Sequence, residues 1–115
     1  MNWVNICEET ALPGFGGVAA WFENKAIAIF NLGEGGLFAL DNIDPATGVS
    51  VLSRGLICDL EGGIFVASPL HKQHYSLRDG SCIEDESLSV EVYQIKCENG
   101  KVLVKSAYDS ADNNS

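Results

Sequence analysis

The residues with the clearest capacity for chemistry are the two histidines, His71 and His74, and an acidic residue in an earlier loop, Asp44. Imidazole nitrogens and a carboxylate can bind zinc or a mononuclear iron, so these three groups at neighbouring loop tips would suffice for a metal site. Two histidines three positions apart outside a helix need not converge, however, and so short a pattern is weak evidence for a metal. The sequence therefore favours ordinary loop histidines.

The cysteines give no metal or redox motif. Their positions are widely spaced and none forms a C-x-x-C pair, which argues against a zinc knuckle or a thioredoxin-type site. The first residues show no basic segment followed by an apolar one, so no secretory signal is expected, and no apolar run is long enough to span a bilayer. We therefore predict a cytoplasmic protein whose four thiols are reduced and serve as small buried apolar side chains: Cys7, Cys58, Cys82 and Cys97.

The charge balance excludes two classes of partner. The chain has 115 residues, a length that suits one domain, and 16 acidic residues against seven basic ones give a net charge of −9. Nucleic acids and anionic membrane surfaces are bound through Lys and Arg, which are too few here. The acidity fits solubility, or docking on a basic patch of another protein.

Turn-forming residues divide the chain into short runs rich in β-branched and aromatic residues, which predicts many short strands. Glu98-Asn99-Gly100 is the strongest hairpin signal, and Glu23-Asn24-Lys25 is a second candidate turn. Residues 49–56 look least like a strand and allow a short helical turn. The predicted strands cover residues 3–7, 18–22, 26–30, 37–40, 64–67, 75–77, 89–97 and 101–105. In the last of them Val102 and Val104 alternate with Leu103 and the flanking lysines, which predicts one buried face. We expect an all-β sandwich or small barrel over residues 1–105 and a frayed polar tail over residues 106–115.

Two segments resemble the cluster-binding loops of the Rieske iron–sulfur fold, which carry the patterns C-x-H and C-P-x-H. The first is Asp44-Pro-Ala46 and the second is Ser68-Pro-Leu-His71. The resemblance places Asp44 and Ser68 where the two cysteines would be, Ala46 where the first histidine would be, and His71 at the one matching ligand position. A Rieske [2Fe–2S] centre needs thiolates on one iron and imidazoles on the other. A Rieske-like fold that binds no cluster, and no other metal, is therefore expected.

Over residues 3–104 the chain resembles the small subunits of NAD(P)H-dependent nitrite reductase. The most specific stretches are Asn-Ile-Asp-Pro at 42–45, Val-Leu-Ser-Arg-Gly-Leu-Ile at 51–57 and Val-Ala-Ser-Pro-Leu at 66–70. The resemblance implies an oxidoreductase subunit in nitrate assimilation or nitrite detoxification, without catalytic residues or cofactor of its own. It also implies a large-subunit partner that carries FAD, siroheme and a [4Fe–4S] cluster and reduces nitrite to ammonia with NAD(P)H.

Partner contacts are predicted at the loops around Asp44 and at residues 68–71, with Arg54 and Lys72 as candidate contact residues. Arg54 has two interpretations of equal weight: a docking contact, or an internal ion pair that pins its loop. The acidic run at residues 84–86 is expected to be a solvated turn, although it could meet a basic surface of the partner.

Two other functions are compatible with parts of the pattern. A Rieske-type ferredoxin that transfers electrons to another enzyme would need cysteines at positions 44 and 68, which hold Asp44 and Ser68. A free-standing binding module with no enzyme partner would look much the same in sequence.

Overall fold

The computed structural model describes residues 3–70 and 73–106, and all regular structure in this part of the chain is strand or single-turn 3₁₀ helix. The strands are β1 Val4–Glu8, β2 Gly16–Phe22, β3 Lys25–Asn31, β4 Leu37–Asp41, β5 Ile43–Asp44, β6 Val49–Ser50, β7 Leu56–Leu60, β8 Gly63–Ala67, β9 His74–Ser76, β10 Val92–Glu98 and β11 Lys101–Ser106. The 3₁₀ helices are η1 Glu9–Ala11, η2 Gly33–Gly35 and η3 Leu52–Arg54. None of the described helices is long and apolar enough to cross a membrane.

An antiparallel six-stranded sheet in the order β1-β11-β10-β4-β3-β2 forms the base of the molecule. Both predicted hairpins are confirmed, and each closes on two residues with positive φ. These are Glu23 and Asn24 between β2 and β3, and Asn99 and Gly100 between β10 and β11. Such two-residue turns match the right-handed twist of the strands that they join.

Two small sheets form a second lobe above this base. Strands β7, β8 and β9 form one antiparallel sheet, and β5 pairs with β6. Strands β5, β6 and β7 were not predicted from the sequence. Strands β5 and β6 have only two residues each, and residues 57–60 of β7 show no clear alternation of polar and apolar residues. The helical turn allowed at residues 49–56 is confirmed only as η3, with β6 before it and the start of β7 after it.

The six-stranded sheet is curled, so its central strands are buried on both faces. On the face towards the second lobe, Phe30 and Leu40 pack with Leu52, Val66 and Tyr75. The other face closes on itself around a second apolar cluster, formed by Phe22, Ile27, Ile29, Ala39, Tyr93, Val102 and Val104. The burial of Val102 and Val104 in β11 confirms the one-sided pattern expected from the alternation there. The predicted all-β class is confirmed in this two-lobed arrangement.

The strand predicted over residues 89–97 begins only at Val92, because Val90 instead donates its N–H to the carbonyl of Gly80 at 2.9 Å. Glycine permits that close approach, because a β-carbon on Gly80 would lie 2.0 Å from the carbonyl oxygen of Val90, and its φ of +79° is also in the left-handed region. At the other end of the chain, Ser106 is the last residue of β11, and residues 107–115 lie outside the described part, so the predicted tail stays a prediction there.

The expectation of four buried cysteines is wrong for Cys97 and holds fully only for Cys82. Cys97 is exposed, while Cys7 and Cys58 are half-buried. Cys97 shares the face of β10 that carries Tyr93 into the core, but it lies at the hairpin end of the strand, beyond the packed residues. All four thiols are free, as expected.

Gly55 shows how tightly η3 is packed against β8. A β-carbon at this position would lie 2.4 Å from the carbonyl oxygen of Ala67 and 2.6 Å from Cγ2 of Val66. Backbone atoms cannot give way as a flexible side chain does, so we expect Gly55→Ala to lower the free energy of unfolding by roughly 2 kcal/mol or more. Urea unfolding followed by circular dichroism measures the change.

Gly14→Ala is the matched control, because nothing lies within 4 Å of the β-carbon that it would add. We expect its unfolding midpoint to stay at or slightly above that of the wild type. Equal midpoints for Gly55→Ala and Gly14→Ala would contradict the close packing of η3 on β8.

Candidate functional site

The first of the two Rieske-like loops is organised by Asp44, whose side chain is completely buried. Its backbone carbonyl accepts hydrogen bonds from the N–H groups of Thr47 at 3.1 Å and Gly48 at 2.7 Å. Its carboxylate oxygen Oδ1 accepts the N–H of Ala46 at 2.9 Å. An aspartate that bonds the backbone two residues ahead stabilises a tight turn, so Asp44 fixes the shape of its own loop.

The second loop joins the first through Ser68, which follows β8 and is also completely buried. The Ser68 hydroxyl donates to Oδ2 of Asp44 at 2.5 Å, and Ser68 Oγ accepts the N–H of Leu70 at 3.3 Å. The Ser68 N–H donates to the carbonyl of Gln73 at 2.8 Å, which closes the second loop. The two positions that would carry cysteines in the Rieske pattern are therefore in direct contact.

Tyr75, on β9, completes this arrangement from a third segment. Its hydroxyl donates to Oδ1 of Asp44 at 2.7 Å, and its side chain is fully buried. Burial, and after it the hydrogen bond to the Asp44 carboxylate, raises the pKa of Tyr75 well above its usual value. We refer to these three residues, Asp44, Ser68 and Tyr75, as the Asp44 network.

The sequence predicts Tyr75 only as part of a short strand and does not predict its place in the network. The available signal was a tyrosine in a segment expected to be buried. A buried tyrosine hydroxyl requires a hydrogen-bond partner, and a buried carboxylate is a strong acceptor.

The donors of the Asp44 network do not fit a Rieske [2Fe–2S] cluster. The two thiolate positions hold a carboxylate and a hydroxyl, and their oxygens bond to each other at 2.5 Å. Ala46 has no donor atom in its side chain, and its backbone N–H is bonded to Asp44. The fourth position, His71, lies outside the described residues. A Rieske cluster needs two thiolates and two imidazoles; positions 44 and 68 supply no thiolate, and Ala46 supplies no imidazole.

The other metal set considered, Asp44 with His71 and His74, is not assembled by the residues that the structure describes. His74 pairs instead with Glu84: its Nδ1 lies 2.5 Å from Oε2, and its backbone N–H donates to Oε1 at 2.8 Å. Burial alone would raise the pKa of Glu84, but the hydrogen bonds from His74 lower it overall. Among residues 3–70 and 73–106, no three Asp, Glu, His or Cys side chains cluster as metal ligands.

Of the two candidate partner contacts, only Arg54 is described, since Lys72 lies outside the described residues. Arg54 is exposed at the end of η3, and it makes no side-chain hydrogen bond or ion pair with any described residue. The alternative of an internal ion pair is therefore not found in this part of the chain. Arg54 lines a groove of about 270 Å³ together with Trp21, which the sequence analysis had not connected to it.

The chain matches the family model described as Rieske-like [2Fe–2S] domain over residues 2–105. It is 45% identical over 106 residues to the nitrite reductase (NADH) small subunit of Salmonella typhimurium, covering 90% of this chain and 97% of that protein. The NMR structure of the Escherichia coli protein NirD is 40% identical to it with a TM-score of 0.82, covering 92% of this chain and 97% of that one.

A third relative is much longer. The chain is 41% identical over 102 residues to the nitrite reductase [NAD(P)H] large subunit of Klebsiella oxytoca, covering 89% of this chain but only 11% of that protein. In that relative, a segment similar to most of this chain is therefore part of the large-subunit polypeptide.

Removal of the central carboxylate tests the Asp44 network. Asp44→Ala leaves the buried hydroxyls of Ser68 and Tyr75 and the N–H of Ala46 without their acceptor, and we expect it to lower the free energy of unfolding by about 3 kcal/mol or more. Ser68→Ala removes one hydrogen bond and should cost about 1–2 kcal/mol, which keeps the test informative if Asp44→Ala fails to fold. Urea unfolding measures both.

Asp85→Ala is the matched control, because Asp85 makes the same kind of turn at an exposed site. It accepts the backbone N–H of Ser87 at 3.0 Å and the Ser87 hydroxyl at 2.6 Å. Its unfolding midpoint should stay close to that of the wild type. An effect of Asp85→Ala as large as that of Ser68→Ala would contradict a special role for the buried network.

The raised pKa of Tyr75 predicts a loss of stability in alkali. A group whose pKa is raised by folding contributes stability that is complete below its unfolded pKa, about 10 for tyrosine, and that falls as the pH rises above it. Tyr75→Phe removes this group, so above about pH 10 its stability should fall less steeply than that of the wild type, by up to about 1.4 kcal/mol per pH unit. Unfolding free energies measured from pH 9 upwards provide the test, and identical slopes would contradict it.

Proposed function

Because the chain belongs to the family of nitrite reductase (NADH) small subunits, whose members have a Rieske-like fold, we propose that it is the non-catalytic subunit of a cytoplasmic NAD(P)H-dependent nitrite reductase. Its expected role is to stabilise or orient the large subunit, which reduces nitrite to ammonia in nitrate assimilation or nitrite detoxification. As a component of an oxidoreductase it belongs to an enzyme, although it contributes no reacting group of its own.

The observation that carries this proposal is the Asp44 network. In a Rieske ferredoxin the same two loops hold the redox centre, whereas here they are closed on each other by the hydrogen bond from Ser68 to Asp44. A fully buried and hydrogen-bonded carboxylate is a structural group, since it has no exchangeable electron and no open ligand position. This supports a subunit without a cofactor over the electron-transfer alternative.

The cofactors of the reaction are assigned to the large subunit in this proposal. FAD would take electrons from NAD(P)H, and the [4Fe–4S] cluster and siroheme would serve nitrite reduction. The Klebsiella oxytoca relative supports the partnership, because its large subunit carries a segment similar to this chain within one polypeptide. Two domains on one polypeptide meet at a high effective concentration, and two separate subunits need an interface that achieves the same association.

Two further features agree with the proposed setting. All four cysteines are free, and Cys97 is exposed, which suits the reducing conditions of the cytoplasm. The net charge of −9 supports the absence of a nucleic-acid or anionic-membrane partner.

The test of the proposed function is nitrite-dependent oxidation of NAD(P)H by the purified large subunit, with and without this chain. We expect the rate to rise on addition of the folded chain and to saturate near a fixed subunit ratio. The same amount of chain unfolded by heat is the control, and it should leave the rate unchanged.

The opposite outcome would be a large subunit whose activity and thermal stability are the same with and without the folded chain. The nitrite reductase assignment would then fail, and a free-standing binding module would be the better account of this fold.

A further inference from the structure

Trp21 is the largest exposed apolar side chain, with 69% of its surface accessible, and it lies on the edge strand β2. Two grooves adjoin it. One, of about 270 Å³, runs to Arg54 on η3, and the other, of about 380 Å³, runs to Ile43 on β5, which is itself 45% exposed. Both grooves share Ala26 and Ser50 as lining residues. We call the surface formed by Trp21, Ile43 and Arg54 the Trp21 face.

The first groove carries a positive charge. Among its lining residues Arg54 is the only charged one, although the chain has 16 acidic residues against seven basic ones. Lys25, Lys96 and Lys101 each have a carboxylate within 4.0 Å, whereas Arg54, like Arg78, has none among the described residues. A guanidinium that is covered by a partner needs a carboxylate to offset the loss of its water. The groove thus favours a partner that brings a negative charge.

The walls of this groove are fixed before any partner arrives. Gly17 brings β2 so close to η3 that a β-carbon there would lie 2.6 Å from the carbonyl oxygen of Ser53. The side chain of buried Asn42 links two other segments that line the groove. Its amide N–H donates to Ser50 Oγ at 2.8 Å, and its Oδ1 accepts the backbone N–H of Ser53 at 2.6 Å. A pre-formed site binds with less loss of conformational freedom than a flexible one.

The Trp21 face is also joined to the Asp44 network. Ile43 and Asp44 are the two residues of β5, with Ile43 exposed on the surface and Asp44 buried beneath it. The hydrogen bonds of Asp44 therefore hold in place the strand that presents Ile43.

We propose that the Trp21 face is the docking surface for the large subunit of nitrite reductase, which places a carboxylate against Arg54 and an apolar side chain on Trp21. This inference rests on the proposed function for the identity of the partner. Trp and Arg are the residue types that most often dominate binding at protein interfaces, and a cation beside an exposed aromatic ring suits a partner segment that is both acidic and apolar.

The experiment measures the Kd between the purified large subunit and single variants of this chain, by titration calorimetry. Trp21→Ala and Arg54→Glu should each weaken binding by tenfold or more. The effect of Arg54→Glu should shrink as salt is added, because it removes a charge pair. Both residues are exposed, and circular dichroism checks that the variants remain folded.

Two matched controls lie outside the Trp21 face. Phe15 is 65% exposed in a different groove, beside Leu32 and Ile57. Arg78 is exposed and lines a groove with Trp3 and Tyr93. Phe15→Ala and Arg78→Glu should bind within about twofold of the wild type.

The possible outcomes separate the two proposals. A wild-type chain that does not bind the large subunit overturns both of them. A wild-type chain that binds, while Trp21→Ala and Arg54→Glu bind equally well or weaken no more than the controls, overturns the docking surface and leaves the proposed function intact. Sedimentation of the isolated chain tests self-association, and a dimer lost in Trp21→Ala would assign the face to a second copy instead.

Discussion

The fold depends on one buried carboxylate, that of Asp44. An ionised carboxyl group loses its water when it is buried, and it is tolerated only where hydrogen-bond donors replace that water. Among the described residues, donors reach it from three separate segments: the backbone of Ala46 in its own turn, Ser68 in the second loop and Tyr75 on β9. Satisfying Asp44 therefore requires the two small sheets of the second lobe to meet in one arrangement.

That arrangement explains how a Rieske-like lobe keeps its shape with a different chemistry at its centre. In a Rieske protein, four metal–ligand bonds tie the two loops together. Here the two loops are joined by a short hydrogen bond from Ser68 to Asp44. The hydroxyl of Tyr75 donates a second hydrogen bond to the same carboxylate. The loops keep their mutual position, and with it the position of β5 and of the surface that β5 shares with Trp21. The Asp44 network therefore holds in place the surface that we propose for docking.

The sequence was informative where local rules dominate. The hairpins of the base sheet follow from turn residues such as Asn99-Gly100, and the buried face of β11 follows from alternation. The short strands β5, β6 and β7 were missed, because their positions are decided by packing in the second lobe rather than by local preference. The start of β10 was predicted too early for a similar reason: the hydrogen bond from Val90 to Gly80 joins residues ten positions apart, and strand preference within residues 89–97 gives no sign of it.

The site shows the same division. Residue chemistry at positions 44, 46 and 68 was enough to argue against a Rieske cluster, because alanine and serine lack the donors that the cluster requires. The bond between Ser68 and Asp44, the role of Tyr75 and the pairing of His74 with Glu84 were not predictable, since each joins residues that only the folded chain brings together. The groove shared by Arg54 and Trp21 was likewise not predictable, because only the folded chain brings β2 beside η3.

The most direct test is an attempt to assemble a [2Fe–2S] cluster on the purified chain. The purified chain is incubated anaerobically with ferrous iron and sulfide, freed of unbound metal, and compared with a chelator-treated sample by iron content, visible absorption and thermal unfolding. Because a ligand bound to the folded state raises the unfolding midpoint, the account predicts no bound iron, no cluster absorption and an unchanged midpoint. Stoichiometric iron and sulfide with a raised midpoint would contradict it, and would show that the two loops still form a cluster site.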